Sequence, residues 1–256
     1  MNRPRDIAHE LEIAERAIED IKHEHLPPAP IDAIVAMAME PTDHARALVS
    51  QWEQAAAESE AALLANPEFE AASARAAALA EELKRHEQRK RLHSRGVPAR
   101  QVERVTAGEK LARSQALEAA HAWERSGETL LLLLGPPGTG KTTAAAWLCR
   151  KLGRFVAAAD MARMSAYAAD GVASLEQGKL LVIDDIGVEY ADAKGLFRSQ
   201  LDAVVSSRFG DRRRTVLTGN IGLPEWRERY GARLLDRARE DGVIVQIKGQ
   251  SMRESR

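Results

Sequence analysis

A run of leucines, Leu130 to Leu134, passes directly into Gly135-Pro136-Pro137-Gly138-Thr139-Gly140-Lys141-Thr142-Thr143. The spacing G-x-x-x-x-G-K-T is that of a Walker A phosphate loop. Its glycines let backbone N–H groups turn inward around phosphate oxygens, and the N-terminus of a following helix adds partial positive charge. Lys141 is placed to reach the β- and γ-phosphates of a nucleoside triphosphate, and the Thr142 hydroxyl to ligate Mg²⁺. Pro136, Pro137, Thr139 and Thr143 complete the loop's contact set. A chance Gly-rich turn needs neither an apolar strand before it nor a helix after it. Here Leu130–Leu134 precedes the loop and an Ala/Trp/Leu segment follows it.

A second run, Leu180-Leu181-Val182-Ile183-Asp184-Asp185, is apolar and closed by two carboxylates. A parallel strand buried on both faces reads this way, and open α/β sheets bind ligands at the carboxyl ends of their strands. This is the Walker B pattern. Asp184 would hold the Mg²⁺ hydration shell, and Asp185 would orient and deprotonate the attacking water. An acidic N-cap after a buried strand would look similar. A third run, Thr215-Val216-Leu217-Thr218-Gly219-Asn220, ends in an amide, and Asn220 can hydrogen-bond the water or the γ-phosphate. An arginine finger stabilises charge on a transferring phosphoryl group, and Arg237 and Arg253 are the candidates by their order after Asn220.

These residues need elements to position them. Thr106-Ala107-Gly108-Glu109 has the T-x-x-E spacing of a capping box and predicts a helix running to about Arg125, stopped by Ser126-Gly127. Arg154 to Ala158 reads as a second strand. Asp160 onward is helical, broken near Gly171, and Val243 to Ile247 is a final strand.

Upstream the character changes. Ile7, Leu11, Ala14, Ile18 and Ile21 recur at steps of four and three, one face of a helix that Pro27, Pro28 and Pro30 end. A short helix from about Ile31 to Met39 follows, and a longer one after Pro41-Thr42-Asp43 carries Leu48, Trp52, Ala55 and Leu63. Asn66-Pro67 is an N-cap with proline at the first helical position, and Phe69, Ala72, Ala76, Leu79 and Leu83 form a second stripe. The result is a helical bundle or hairpin with Ala-lined seams, one of which can receive a partner's helix. A basic run from Lys84 to Arg91 either meets a phosphate backbone or is a solvated helix face. Gly96 and Pro98 mark the expected linker.

The 256 residues carry a formal net charge of −1, which argues neither for nor against nucleic acid. The lone Cys149 cannot form an internal disulfide and reads as a small buried hydrophobe in a reducing compartment. No apolar run approaches a membrane span, and Met1-Asn2-Arg3-Pro4-Arg5 lacks a signal-peptide core behind it, so a soluble, cytoplasmic protein is expected. His9, His23, His25 and His44 have no partners at metal-ligand spacing.

With these pieces in order, the chain resembles the AAA+ ATPases of the DnaC/IstB group, which are helicase loaders and transposition helper proteins. The resemblance is carried by GPPGTGKT (Gly135 to Thr142), LLVIDDIG (Leu180 to Gly187), LTGN (Leu217 to Asn220), GARLLDR (Gly231 to Arg237) and QSMR (Gln250 to Arg253), and covers about Pro98 to the end. It implies an α/β fold: a P-loop NTPase of AAA+, ASCE type, with a parallel five-stranded sheet between helices and an all-α N-terminal domain. It also implies that Asn220 is sensor 1, Arg237 a finger offered to a neighbouring subunit and Arg253 sensor 2, with ATP and Mg²⁺ bound in a nucleotide-dependent homo-oligomer. No helical lid follows the last strand, as in that group.

Two departures shape the expectation. Most AAA+ proteins have Glu where Asp185 stands, one methylene longer; aspartate also occurs in the group, so slow hydrolysis is expected. The span from Asp160 to Lys179 is shorter than the pore-lining insertion of helicase loaders, leaving Arg163, Tyr167 and Lys179 as nucleic-acid candidates. The expected division is a partner-docking domain at 1–95 and an ATPase domain at 96–256. The favoured reading is a helicase loader whose N-terminal helices bind a replicative helicase and place it on single-stranded DNA. A transposition helper recruiting a transposase, and an ATP-gated adaptor with incidental hydrolysis, are the alternatives.

Overall fold

The structure is a computed structural model that describes residues 6–39, 42–107, 111–167, 169–187, 195–249 and 251. The chain divides into two compact units, 1–86 and 87–256.

The first unit is helical. Helix α1 (Ile7–His25) starts where Asp6 Oδ1 accepts the His9 N–H at 3.2 Å and ends before Pro27. Helix α2 (Ile31–Met39) and α3 (Asp43–Leu64) follow, the latter capped by the Thr42 hydroxyl, which accepts the Ala45 N–H. Helix α4 (Pro67–Ser94) starts as expected: Asn66 Oδ1 accepts the Glu68 N–H at 2.9 Å, and proline takes the first position, where its missing donor costs nothing. The two stripes meet, with Ala14 buried against Ala76 and Leu79 and flanked by Ile7, Leu11 and Ile18. By contrast Ile31, Ile34 and Val35 lie exposed on α2.

In the second unit, α5 (Ala99–Thr106) and α6 (Gln115–Arg125) precede β1 (Leu130–Leu134). Then come α7 (Lys141–Leu148), β2 (Arg154–Ala157), α8 (Ala158–Tyr167), α9 (Ala169–Ala173), a 3₁₀ turn at Ser174–Glu176 and β3 (Leu180–Ile186). The chain continues through α10 (Leu196–Gly210), β4 (Arg214–Gly219), α11 (Leu223–Tyr230), α12 (Arg233–Asp241) and β5 (Gly242–Gln246). The five strands lie in the order β2-β3-β4-β1-β5 and every pair is parallel.

The leucine run shows why such strands read as unbroken apolar sequence. Leu130, Leu132 and Leu134 enter one core with Phe197, Leu201 and Trp226, while Leu131 and Leu133 enter another with Trp123, Ala145 and Val216. Both sheet faces are covered, so neither side of the pleat can be polar. Buried Cys149 belongs to the second core, and burial pushes its thiol up to about 12. Arg208 is fully buried on α10, donating to the carbonyls of Leu175, Gln177 and Arg214 and to Thr215 Oγ1. It ties the turn before β3 to the start of β4, and burial lowers its pKa to about 10.

One expected helix start is corrected. Thr106 does not open a helix: it is the last residue of α5, its hydroxyl donating to Val102 O at 2.8 Å. The helix reaching Arg125 starts at Gln115, and Ser114 caps it by accepting the Leu117 N–H. Glu109 lies outside the described residues. Gly171 lies in α9, which gives way to the 3₁₀ turn at Ser174–Glu176, so the helical stretch from Asp160 does end near Gly171. Gly96 adopts φ +86 hard against β2, where an added Cβ would lie 2.4 Å from Phe155 O, and the neighbouring Leu92 and Val97 are buried. In the basic run, Lys84 pairs with Glu81, Arg89 with Glu103 and Arg91 with Glu87, which favours the solvated face over a phosphate track. Among the described residues no helix is long and apolar enough to cross a membrane, and no His/Cys/Asp/Glu cluster suits a metal.

Candidate nucleotide site

Strand order creates the site. β4 lies between β1 and β3, so the chain leaving β4 at Asn220 sits between the phosphate loop and the Asp184–Asp185 pair. Gly219 pairs with Leu134 on one side and Ile186 on the other, and the β3–β4 register shifts between Ile183 and Ile186. That irregularity contains Asp185, whose φ of 64° is the left-handed region, uncommon for a non-glycine residue and found disproportionately at functional positions.

The loop itself requires glycine. Gly138 (φ +80) and Gly140 (φ +85) are left-handed, and Gly140 caps α7. A Cβ on Gly135 would meet Ile247 O at 2.4 Å, and one on Gly138 would meet Ser251 Oγ at 2.0 Å. Residues after β5 therefore lie directly on the loop. Lys141 is buried, its ammonium donating to Gly135 O at 2.8 Å and Pro136 O at 2.7 Å, while Thr139 Oγ1 donates to Pro136 O. Thr143 Oγ1 donates to Gln101 Oε1 at 2.8 Å, tying α7 to α5.

The acidic pair is wired through one hydroxyl. Thr218 Oγ1 donates to Asp184 Oδ1 at 2.6 Å and accepts the Asp185 N–H at 3.0 Å. Asn220 Nδ2 donates to Asp185 Oδ1. Burial pushes the Asp184 carboxyl up to about 6; Thr218 opposes this, Asp185's charge adds to it, and Thr142 and Lys141 pull it back. A buried carboxylate beside a threonine hydroxyl, carrying that desolvation, fits Mg²⁺: the ion takes one or two protein oxygens plus phosphates and water rather than a full protein cage.

Asp184, Asp185 and Asn220 thus come together beside Lys141 and Thr142. Arg237 is not beside them; its Nη1 donates to Asp202 Oδ1 at 2.9 Å within the same chain. Arg253 lies outside the described residues.

A cavity of about 400 Å³ runs from Gly138–Ala144, Asp185 and Asn220 to Gln101, Arg104, Ala107, Leu111, Ala112 and Leu117. This second wall, in which Leu111, Ala112 and Leu117 stand beside Gln101 and Arg104, escaped the sequence reading. It carries no motif, and the mistaken single helix from Thr106 to Arg125 concealed that Ala107, Leu111 and Ala112 lie outside α5 and α6.

A family model described as IstB-like ATP binding protein matches residues 107–256. None of the curated proteins compared matches the chain. Among solved structures it is similar to the DnaC helicase loader (22% identity over 52% of this chain and 86% of that one, TM-score 0.42). It is also similar to DnaI (17% identity, 58% and 89%, TM-score 0.45). A DNA replication initiation factor matches at 19% identity over 51% of this chain, with TM-score 0.43, and the chain spans 44% of its length. The family match begins directly after α5 and takes in the phosphate loop, the Asp184–Asp185 pair and Asn220, more than half the sequence, so the chain belongs to the family of IstB-like ATP-binding proteins.

Proposed function

We propose that the protein is a slow ATP hydrolase acting as a DnaC-like helicase loader, docking a replicative helicase through its N-terminal helices and helping place it on single-stranded DNA. The convergence of Lys141, Thr142, Asp184, Asp185 and Asn220 at the carboxyl ends of adjacent strands carries the hydrolase reading. Lys141 and the loop N–H groups hold the β- and γ-phosphates. Thr142 and Asp184 would hold Mg²⁺, which when bound neutralises charge on those phosphates. Asp185, oriented by Asn220 and by its N–H bond to Thr218, takes a proton from water as the water oxygen attacks the γ-phosphorus and ADP leaves. Arg237 acts on the ATP of a neighbouring subunit.

The loader reading is supported by the GARLLDR box and by an N-terminal unit of helices with exposed Ile31, Ile34 and Val35 on α2. For DNA contact the candidates of the short pre-Walker B segment are Arg163, which pairs with Asp160 at the exposed surface, Tyr167 and Lys179. The IstB-like family match favours the second reading, a transposition helper that recruits a transposase. An ATP-dependent pull-down separates them: a hexameric helicase supports the loader, a transposase the helper. Phosphate release tests the chemistry, with Asp185→Asn expected to bind ATP and not turn it over.

A further inference from the structure

Two arginines share one carboxylate on the face formed by α10 and α12. Arg237 Nη1 donates to Asp202 Oδ1 at 2.9 Å, and Arg233, one helical turn earlier, donates from Nη1 to Asp202 Oδ2 at 3.1 Å. The two arginines differ in setting: the Arg233 side chain is 70% exposed, the Arg237 side chain 14%. Arg237 has a single acceptor, Asp202, among the described residues, which leaves its Nε–H and second amino group uncommitted. Those nitrogens are not sealed in the protein: among the described residues the buried side-chain polar atoms without partners are Trp123 Nε1, Gln200 Oε1, Arg214 Nε and Trp226 Nε1.

We propose that Asp202 is the positioning residue of the Arg237 finger. It clamps one amino group so that the remaining donors stay free for phosphate oxygens on an adjoining subunit, while Arg233 holds the clamp's other oxygen. This rests on the reading of Arg237 as a finger acting in trans. A guanidinium has a rigid planar fork, so fixing one nitrogen fixes the direction of the others. Without the clamp, a long side chain must give up rotamer freedom each time it meets phosphate, and the rate falls through misplacement rather than weaker ATP binding. Arg233 supplies a second positive charge that keeps the Asp202 side chain directed at α12.

The test uses the full-length chain: wild type, Asp202→Asn, Arg237→Ala and the double variant. Turnover is read by phosphate release and affinity by titration with a fluorescent ATP analogue. Asp202→Asn is expected to lower kcat about tenfold at unchanged affinity, and Asp202→Glu to recover part of the loss. In the Arg237→Ala background the Asp202→Asn change should have no further effect, because the clamp acts only through the finger. Mixing Asp202→Asn with Lys141→Ala should hydrolyse faster than the sum of the two, since one supplies an intact ATP site and the other an intact, clamped finger. If Asp202→Asn fails to fold, Asp202→Glu runs the same cycle with a smaller step. Wild-type turnover in Asp202→Asn, or an equal loss with and without Arg237, overturns the clamp alone. Wild-type turnover in Arg237→Ala overturns the finger and the clamp together.

Discussion

Thr218 holds Asp184: its hydroxyl proton goes to Asp184 Oδ1 at 2.6 Å, and its oxygen takes the Asp185 N–H at 3.0 Å. One fully buried side chain on β4 thereby sets both carboxylates near the end of β3. Neither acid could be placed so firmly by its own strand, because the β3–β4 register shifts just there.

Thr218→Val keeps the shape and removes both bonds. It leaves a buried acceptor on Asp184 and an unpaired Asp185 N–H, at a cost of roughly 1–3 kcal/mol. ATP affinity should be retained while turnover falls, and Thr218→Ser should restore turnover. Phosphate release and thermal melts of the three proteins measure this; a valine variant with wild-type turnover would show the bridge to be dispensable.

Burial gives Asp184 a pH signature. Its carboxyl is raised from 3.8 to about 6, so the folded chain holds a proton that the unfolded chain has lost across that interval. The group therefore favours folding most below its unfolded value, and that contribution falls away as pH rises to about 6. Asp184→Asn escapes this loss. Without ligand, its stability advantage over wild type should grow by ~2 kcal/mol between pH 4 and 7. In the presence of Mg²⁺ and ATP the wild type should gain stability that the variant does not. Denaturant melts across that range decide it, and a difference that stays flat with pH would mean Asp184 is not desolvated.

Lys141→Ala removes the charge meant for the phosphates and also the brace on Gly135 O and Pro136 O. The loss of charge-assisted hydrogen bonds should weaken ATP binding by roughly 100-fold or more. Isothermal titration with Mg²⁺ and ATP gives the answer, and unchanged affinity would contradict the phosphate-loop assignment.

What was legible in the sequence was what is local. A phosphate loop is contiguous, and strands buried on two faces announce themselves as apolar runs, so Leu130–Leu134, Leu180–Ile183 and Val216–Leu217 were placed correctly. Thr106 misled because T-x-x-E is a stronger pattern than the true start, Ser114-Gln115-Ala116-Leu117, which lacks the reciprocal Glu. Asp202 was invisible for another reason. It is one carboxylate within α10, and its partners stand 31 and 35 residues away, brought near only by packing against α12. Gly96 was read with Pro98 as marking a linker; its positive φ also serves a close approach to Phe155 that no sequence pattern announces.

That approach leads to a prediction about where the chain can be cut. Leu92 and Val97 are buried in the same core as Leu131, Leu133 and Ala145. Between them Arg95 donates to the carbonyls of Cys149 (2.6 Å), Arg150 (2.9 Å) and Lys151 (2.8 Å), satisfying the end of the helix whose start is the phosphate loop. Removing the two core side chains and the cap should cost several kcal/mol, roughly 4–8 from cavity and capping terms, against a typical total stability of about 5–15. A chain beginning at Glu87 retains all three residues; one beginning at Pro98, just after the expected boundary at 95, loses them. The Glu87 chain should bind ATP with the affinity of the full protein and fail to capture the N-terminal partner. The Pro98 chain should melt far lower and bind ATP poorly. Thermal melts and nucleotide titration of the two decide the matter: equal stability would place the functional boundary at the Gly96–Pro98 turn after all, and partner capture by the Glu87 chain would move the docking surface onto the ATPase unit.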